Sequence, residues 1–202
     1  MRRAVFALLI ISITQLITIA CDLFCTCGCG SGPPQQISIL SWNVGTVSDS
    51  YKQVDPLTTQ PYHQTFKTLR IGDRENAYLE RGSWGNVFLS AAYACSPAPI
   101  KAIQTFTSIR IVSTSEITLV DANDLIKVGD DISDRFIMSH GYEINFKPIG
   151  EFIDQLIIYD NDLYRLRLKE KPDKETVLKF DIIITLSDGK LFELKDELLT
   201  LI

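Results

Sequence analysis

The sequence predicts an all-β protein, a two-sheet antiparallel β-sandwich of immunoglobulin-like or related topology, placed behind an export and anchoring segment. Three observations carry this. About seven or eight short runs rich in β-branched and alternating apolar residues follow one another after residue 37, each bounded by turn residues. Asp188-Gly189 sits between the last two alternating runs, the strongest short-range sign of a hairpin. Long helical periods between strands are absent, which disfavours a nucleotide-binding α/β fold. A closed barrel fits the same pattern.

The chain begins with Arg2-Arg3 and an apolar run from Ala4 to Ala20, a charged n-region and a hydrophobic h-region. At roughly 17 residues the run is near the lower limit for a spanning helix. A retained anchor or an ordinary secretory signal is therefore the alternative to a lipoprotein signal peptide over residues 1–20. Thr18-Ile19-Ala20-Cys21 favours the lipoprotein reading, because a small residue directly precedes a cysteine. Thr18 stands where Leu is usual. Cys21 would carry diacylglycerol and an N-acyl chain such as palmitate, more than the two lipid signals that suffice for stable anchoring. Residues 21–36 then form a Cys-, Gly- and Pro-rich spacer, and residues 37–202 one sandwich domain.

Setting Cys21 aside leaves Cys25, Cys27, Cys29 and Cys95 of the five cysteines. An oxidising compartment makes a disulfide the expected use of an even remainder, from Cys95 to one of Cys25, Cys27 and Cys29. The Cys-x-Cys-x-Cys spacing also allows soft-metal binding by the spacer thiolates. Which spacer cysteine pairs stays open.

Along the domain, Ile37–Val44 reads as a first strand and residues 45–61 as a polar loop with Pro56 and Pro61. Phe66–Ile71, Trp84–Ala94, Phe106–Val112 and Ile117–Val120 follow as strands, rich in the residues a pleated, half-buried surface favours. Ile149, Phe152, Ile153 and Leu156 recur at helical spacing behind Pro148, predicting one short helix over 148–156. Tyr164–Leu168 alternates against Arg165 and Arg167. Phe180–Leu186, the turn 187–190, Leu191–Leu194 and a final strand near 198–202 complete the set.

Of the 20 Lys and Arg, Arg2 and Arg3 lie in the signal, so 18 face the 25 Asp and Glu in the rest of the chain. That balance repels phosphate backbones, and no basic stripe with interleaved aromatics is present, so nucleic acid is not an expected partner. No cofactor motif occurs.

Three stretches together resemble a known family: Ala91–Pro97, the segment Thr107–Ile111 leading to Asn123-Asp124-Leu125 and Gly129–Phe136, and the closing Thr185–Lys190. In this order behind a lipoprotein signal they are similar to uncharacterised lipoproteins of Bacteroidetes, a domain of unknown function, over most of residues 37–202. The resemblance implies an envelope location and a β-rich fold and carries no activity. Surface-displayed lipoproteins of such bacteria often place an acidic cluster after the lipidated cysteine, whereas this chain has Asp22 alone. A periplasmic face is as compatible as a surface one.

Candidate chemistry is sparse. His63 and His140 are the two histidines; Ser139 precedes His140, but strand neighbours point to opposite faces, and no nucleophile elbow is present. Both read as loop histidines without a catalytic task. Asp121, Asn123, Asp124, Asp130, Asp131 and Asp134 form the best candidate for Ca²⁺, with Asp121, Asp124, Asp130 and Asp131 its strongest members, though the spacing departs from an EF-hand. The alternative is a solvated loop whose carboxylates bond turn amides. Trp42, Trp84, Tyr62 and Tyr78 would make a sugar-stacking platform if exposed, with Trp84 expected in the core. The expectation is a non-enzymatic envelope module that binds a protein or glycan partner or serves structurally, lipid-anchored at the outer membrane. An envelope hydrolase acting on glycans or peptides is the alternative, and would require two titratable side chains converging in a cleft.

Overall fold

The hairpin read from Asp188-Gly189 is present and organises one half of the molecule. The computed structural model describes residues 36–77, 99–119, 124–153 and 157–202. Its strands are β1 (Gln36–Ile39), β2 (Trp42–Ser48), β3 (Thr65–Ile71), β4 (Arg74–Ala77), β5 (Lys101–Ala102), β6 (Phe106–Ser113), β7 (Ile117–Thr118), β8 (Leu125–Ile126), β9 (Phe136–His140), β10 (Lys147–Pro148), β11 (Tyr164–Leu168), β12 (Thr176–Leu186) and β13 (Leu191–Leu201). The protein is all-β, and its two larger sheets are antiparallel: β10-β9-β11-β3-β2 and β13-β12-β6. Two smaller sheets accompany them, β4-β1-β5 and β7-β8, and β1 runs parallel to β5.

The two larger sheets share one core because β3, β9, β11, β6 and β12 turn apolar residues toward the other sheet. Phe136 and Tyr164 of the five-stranded sheet meet Phe180 and Phe106 of the three-stranded sheet, with ring centroids 5.4 Å apart for Phe136–Phe180 and 5.1 Å for Phe106–Tyr164. Trp42 packs on Phe106 at 5.4 Å. Such pairs contribute about 0.5–1.5 kcal/mol each beyond the area they bury. Ile182, Ile184, Leu166 and Met138 fill the space between them, all fully buried.

The hairpin turn is a three-residue loop, Ser187 to Gly189. The Gly189 amide donates to the Leu186 carbonyl and the Leu186 amide to the Lys190 carbonyl, both at 2.9 Å, while Gly189 takes φ +83°. Glycine meets that conformation without a Cβ penalty. After the turn β13 runs unbroken to Leu201, where the sequence suggests two separate strands. Its apolar pattern changes phase: Phe192 and Leu194 face inward, then Leu199 and Leu201 do. The register slips opposite Phe180–Ile182, Asp196 adopts φ 58°, and the Asp196 amide donates to Asp181 Oδ1 at 2.9 Å. An extra residue in one strand reverses which face the following residues occupy.

Three expectations need correction. Ile37–Val44 is two strands in two sheets, split at Leu40-Ser41, whose amides both donate to the Asp73 carbonyl. The polar segment 45–61 begins with the end of β2, because Gly45–Ser48 pair with Thr65–Thr68. The short helix over 148–156 is a single 3-10 turn, Ile149–Phe152, which Ile153 ends by returning to extended backbone at ψ 139°. A nucleus this short has too few hydrogen bonds to propagate, and Gly150 weakens it further. Residues 154–156 lie outside the described residues, as do strand 84–94 and Val120.

Candidate functional site

Cys21, Cys25, Cys27, Cys29, Cys95, Asp121, Asn123, Tyr78 and Trp84 all lie outside the described residues. Of the described acids, Asp124, Asp130 and Asp131 each hold a donor of the protein itself. Asp131 Oδ1 accepts the Ser133 amide at 3.0 Å and its hydroxyl at 2.5 Å, and Asp131 Oδ2 accepts Arg110 Nε at 2.8 Å. Partial burial pushes the Asp131 carboxyl up, but the bonds from Ser133 and Arg110 outweigh it and hold its pKa below the ordinary value. Asp130 accepts the Lys127 amide at 2.8 Å, and Asp124 pairs with Arg135. Among the described residues no three His, Cys, Asp or Glu converge as a metal site.

His63 is exposed in the turn Tyr62–Gln64. His140 is the last residue of β9, a strand position where the sequence suggests a loop. Its ring stacks on Tyr164, and its Nε2 lies 2.7 Å from Asp162 Oδ1. Asp162 Oδ2 accepts the Tyr159 amide at 2.7 Å and the Tyr164 hydroxyl at 2.9 Å. Burial raises the Tyr164 pKa, and the Asp162 charge and hydrogen bond raise it further, so the phenol stays a neutral donor. Among the described residues, the hydrogen bonds of His140 reach no hydroxyl or thiol that it could activate. This cluster ties the β9 end to the 159–164 turn.

Of the aromatics suggested as a platform, Trp42 is in the core and Tyr62 is partly buried against it. The exposed aromatics are others. Tyr142 is 70% exposed and Tyr51 40%, their rings edge to face at 4.8 Å, and Ile144, two residues after Tyr142, is 90% exposed. The sequence hid them in polar loops with no period to mark them.

Beneath this surface lies the outer face of the five-stranded sheet. Arg165 alternates outward from β11, yet it is only 3% exposed. Its guanidinium is about equally close to three rings, 5.3 Å from Tyr51, 5.2 Å from Phe66 and 5.2 Å from Phe146. It donates to Tyr51 Oη at 3.1 Å and to the Glu143 carbonyl. The Arg167 guanidinium also lies over Phe146, 4.4 Å from its centroid, and donates to the His63 carbonyl at 3.5 Å. Segment 141–147 thus folds over β11 through Phe146 and Glu143.

A cleft of about 440 Å³ opens elsewhere, between β6, β9 and the turn Ile149–Phe152, with Ile109, Phe136, Ile149 and Ile153 in its walls. Asp134 and Lys169 are its titratable members, and no ion pair joins them.

No family model matches the chain, and no curated protein matches it. Among solved structures, it is similar to the C-terminal domain of the AgI/II polypeptide BspA of Streptococcus agalactiae, at 8% identity and TM-score 0.28 over 80% of this chain and 49% of that one. The C-terminal domain of the antigen I/II-family protein AspA of Streptococcus pyogenes matches at 11% identity and TM-score 0.26, over 80% and 46%. The chain spans about half the length of these structures.

Proposed function

We propose that this chain is a non-enzymatic binding module of the cell envelope, tethered through lipid on Cys21, which holds a protein or glycan partner on the surface formed by Tyr51, Tyr142 and Ile144. The exposure of these three side chains is the observation that carries the reading. Two tyrosines set edge to face offer rigid amphipathic contact area at small entropic cost, the composition that recognition surfaces favour. Arg165 holds Tyr51 in place from below, so the surface is preorganised. Against the hydrolase alternative, His140 and Asp162 serve a turn, and among the described residues the cleft above is walled mainly by apolar side chains.

The anchor is tested by intact mass of the protein extracted from membranes: loss of residues 1–20 and a lipid-sized mass increase on Cys21 are expected, and Cys21→Ser should abolish both, leaving the full-length unlipidated mass. The surface is tested by retention on isolated envelope fractions of the chain from Asp22 onward, which carries no lipid to hold it there. Tyr51→Ala with Tyr142→Ala should lower retention by about tenfold, a loss of about 1.4 kcal/mol, while the far-UV spectrum stays unchanged. Equal retention rejects the surface as the binding site.

A further inference from the structure

We infer that the open edge of β13 between Leu191 and Lys195 is a self-association site, where the same strand of a second copy pairs antiparallel about a two-fold axis at Leu194. β13 stands at the end of its sheet, in the order β13-β12-β6. Among the described residues its outer edge takes backbone hydrogen bonds only at the far end, where Gln60 and Tyr62 bond to Thr200 and Ile202. The Leu186 amide donates to the Lys190 carbonyl, and opposed residues of an antiparallel pair alternate between bonded and unbonded, so Phe192 and Leu194 bond back to Ile184 and Ile182. The amides and carbonyls of Leu191, Glu193 and Lys195 therefore face the open edge.

Such an edge is a template for another strand, which proteins blunt with proline, with a bulge or with charges that repel. No proline lies between Leu191 and Leu201, and the bulge at Asp196 comes after the open segment. The charges on the segment suit a copy of itself. Glu193 and Lys195 stand on the exposed face as an ion pair at 3.0 Å. With the axis at Leu194, Glu193 faces Lys195 of the second copy and Lys195 faces its Glu193, so charges of opposite sign oppose each other at both positions. These are also the residues whose backbone groups are free, so a single register makes the main-chain bonds and the cross-strand ion pairs together. Moving the axis by one residue sets Glu193 against Glu193 or Lys195 against Lys195. Phe192 and Leu194, partly buried against the core, line the inner side of the same edge. Leu194 meets its own counterpart at the axis, in an unbonded pair, where opposed side chains approach most closely. The net charge of −5 opposes long-range approach, so the selectivity for a second copy comes from this local alternation.

The test is sedimentation equilibrium of the chain from Asp22 onward, which carries no lipid, at concentrations up to about 1 mM. A concentration-dependent equilibrium between monomer and dimer is expected. Glu193→Lys alone and Lys195→Glu alone should each weaken association by about tenfold or more, because each sets like charges together. Mixing the two variants should restore association, since opposite charges then face each other at both positions. Hydrogen exchange at the Glu193 and Lys195 amides should slow as the dimer forms. Melting curves confirm that both variants are folded. The inference is overturned if the chain stays monomeric throughout, if either reversal associates as the parent does, as a dimer linked through cysteines would, if the mixture stays monomeric, or if exchange at the two amides is unchanged in the dimer.

Discussion

Lys67 on β3 and Glu197 on β13 meet at 2.6 Å between Nζ and Oε2, joining the two larger sheets through a pair whose lysine is only 3% exposed. Lys67 stands in register with buried Leu166, so it points inward. Glu197 points inward because the bulge at Asp196 has reversed the phase of β13. Removing Glu197 alone leaves an uncompensated ammonium in the interior. Glu197→Ala should therefore cost about 3 kcal/mol in denaturant unfolding, whereas Lys67→Met combined with Glu197→Leu should cost far less.

Asp131 and Asp188 predict how stability falls in acid. Some burial raises the Asp188 carboxyl, but bonds from Gln104 and the Lys190 amide and the charge of Lys190 lower it further than burial raises it. Both folded-state values are depressed, so their stabilisation is complete above the unfolded pKa of about 4 and is lost as pH falls through and below it. Melting temperatures of Asp131→Asn and the parent should differ at neutral pH and converge by about pH 2–3. A gap that widens in acid would refute the sign.

Gly189→Ala should destabilise by about 1 kcal/mol, because the position needs φ +83° and nothing lies within 4 Å of the added Cβ. Thermal unfolding reads this directly. The cost is conformational, so a larger residue such as Leu should be no worse than Ala.

Asp162 is a structural acceptor with three donors on it. Tyr164→Phe removes one donor and should cost about 1 kcal/mol, while Asp162→Ala strands all three and should cost about 2–3 kcal/mol. Hydrogen exchange at the Tyr159 amide, which loses its acceptor only in the second variant, separates the two.

Local pattern made β11, β12 and the turn that follows β12 readable. β12 alternates cleanly, β11 alternates apolar and basic residues, and Asp188-Gly189 states its turn in two residues. The break at Leu40-Ser41 was not readable, since Ile37–Val44 is continuously strand-like and its division depends on Asp73 capping both amides. The phase change in β13 was present as apolar residues at 192 and 194 and then at 199 and 201, a signal that two separate strands explain equally well.

Of the candidate site, the sequence reading offered Trp42, Trp84, Tyr62 and Tyr78 because it could weigh aromatic type and not exposure; Trp84 and Tyr78 lie outside the described residues, and burial removed Trp42 and promoted Tyr51 and Tyr142. Arg165 and Arg167 read as the solvent face of an alternating strand. That expectation holds for direction and fails for environment, because segment 141–147 closes over them with Phe146.

By itself, then, the sequence determined the class of fold, the strands with strict alternation and the hairpin turn, since these follow from side-chain period and from the φ that glycine permits. Tertiary structure alone decided that Lys67 lies inside opposite Glu197, that outward-pointing Arg165 is buried, and which aromatics meet solvent. Each of these depends on a partner far away in the chain, and period along a strand carries no information about what packs against it.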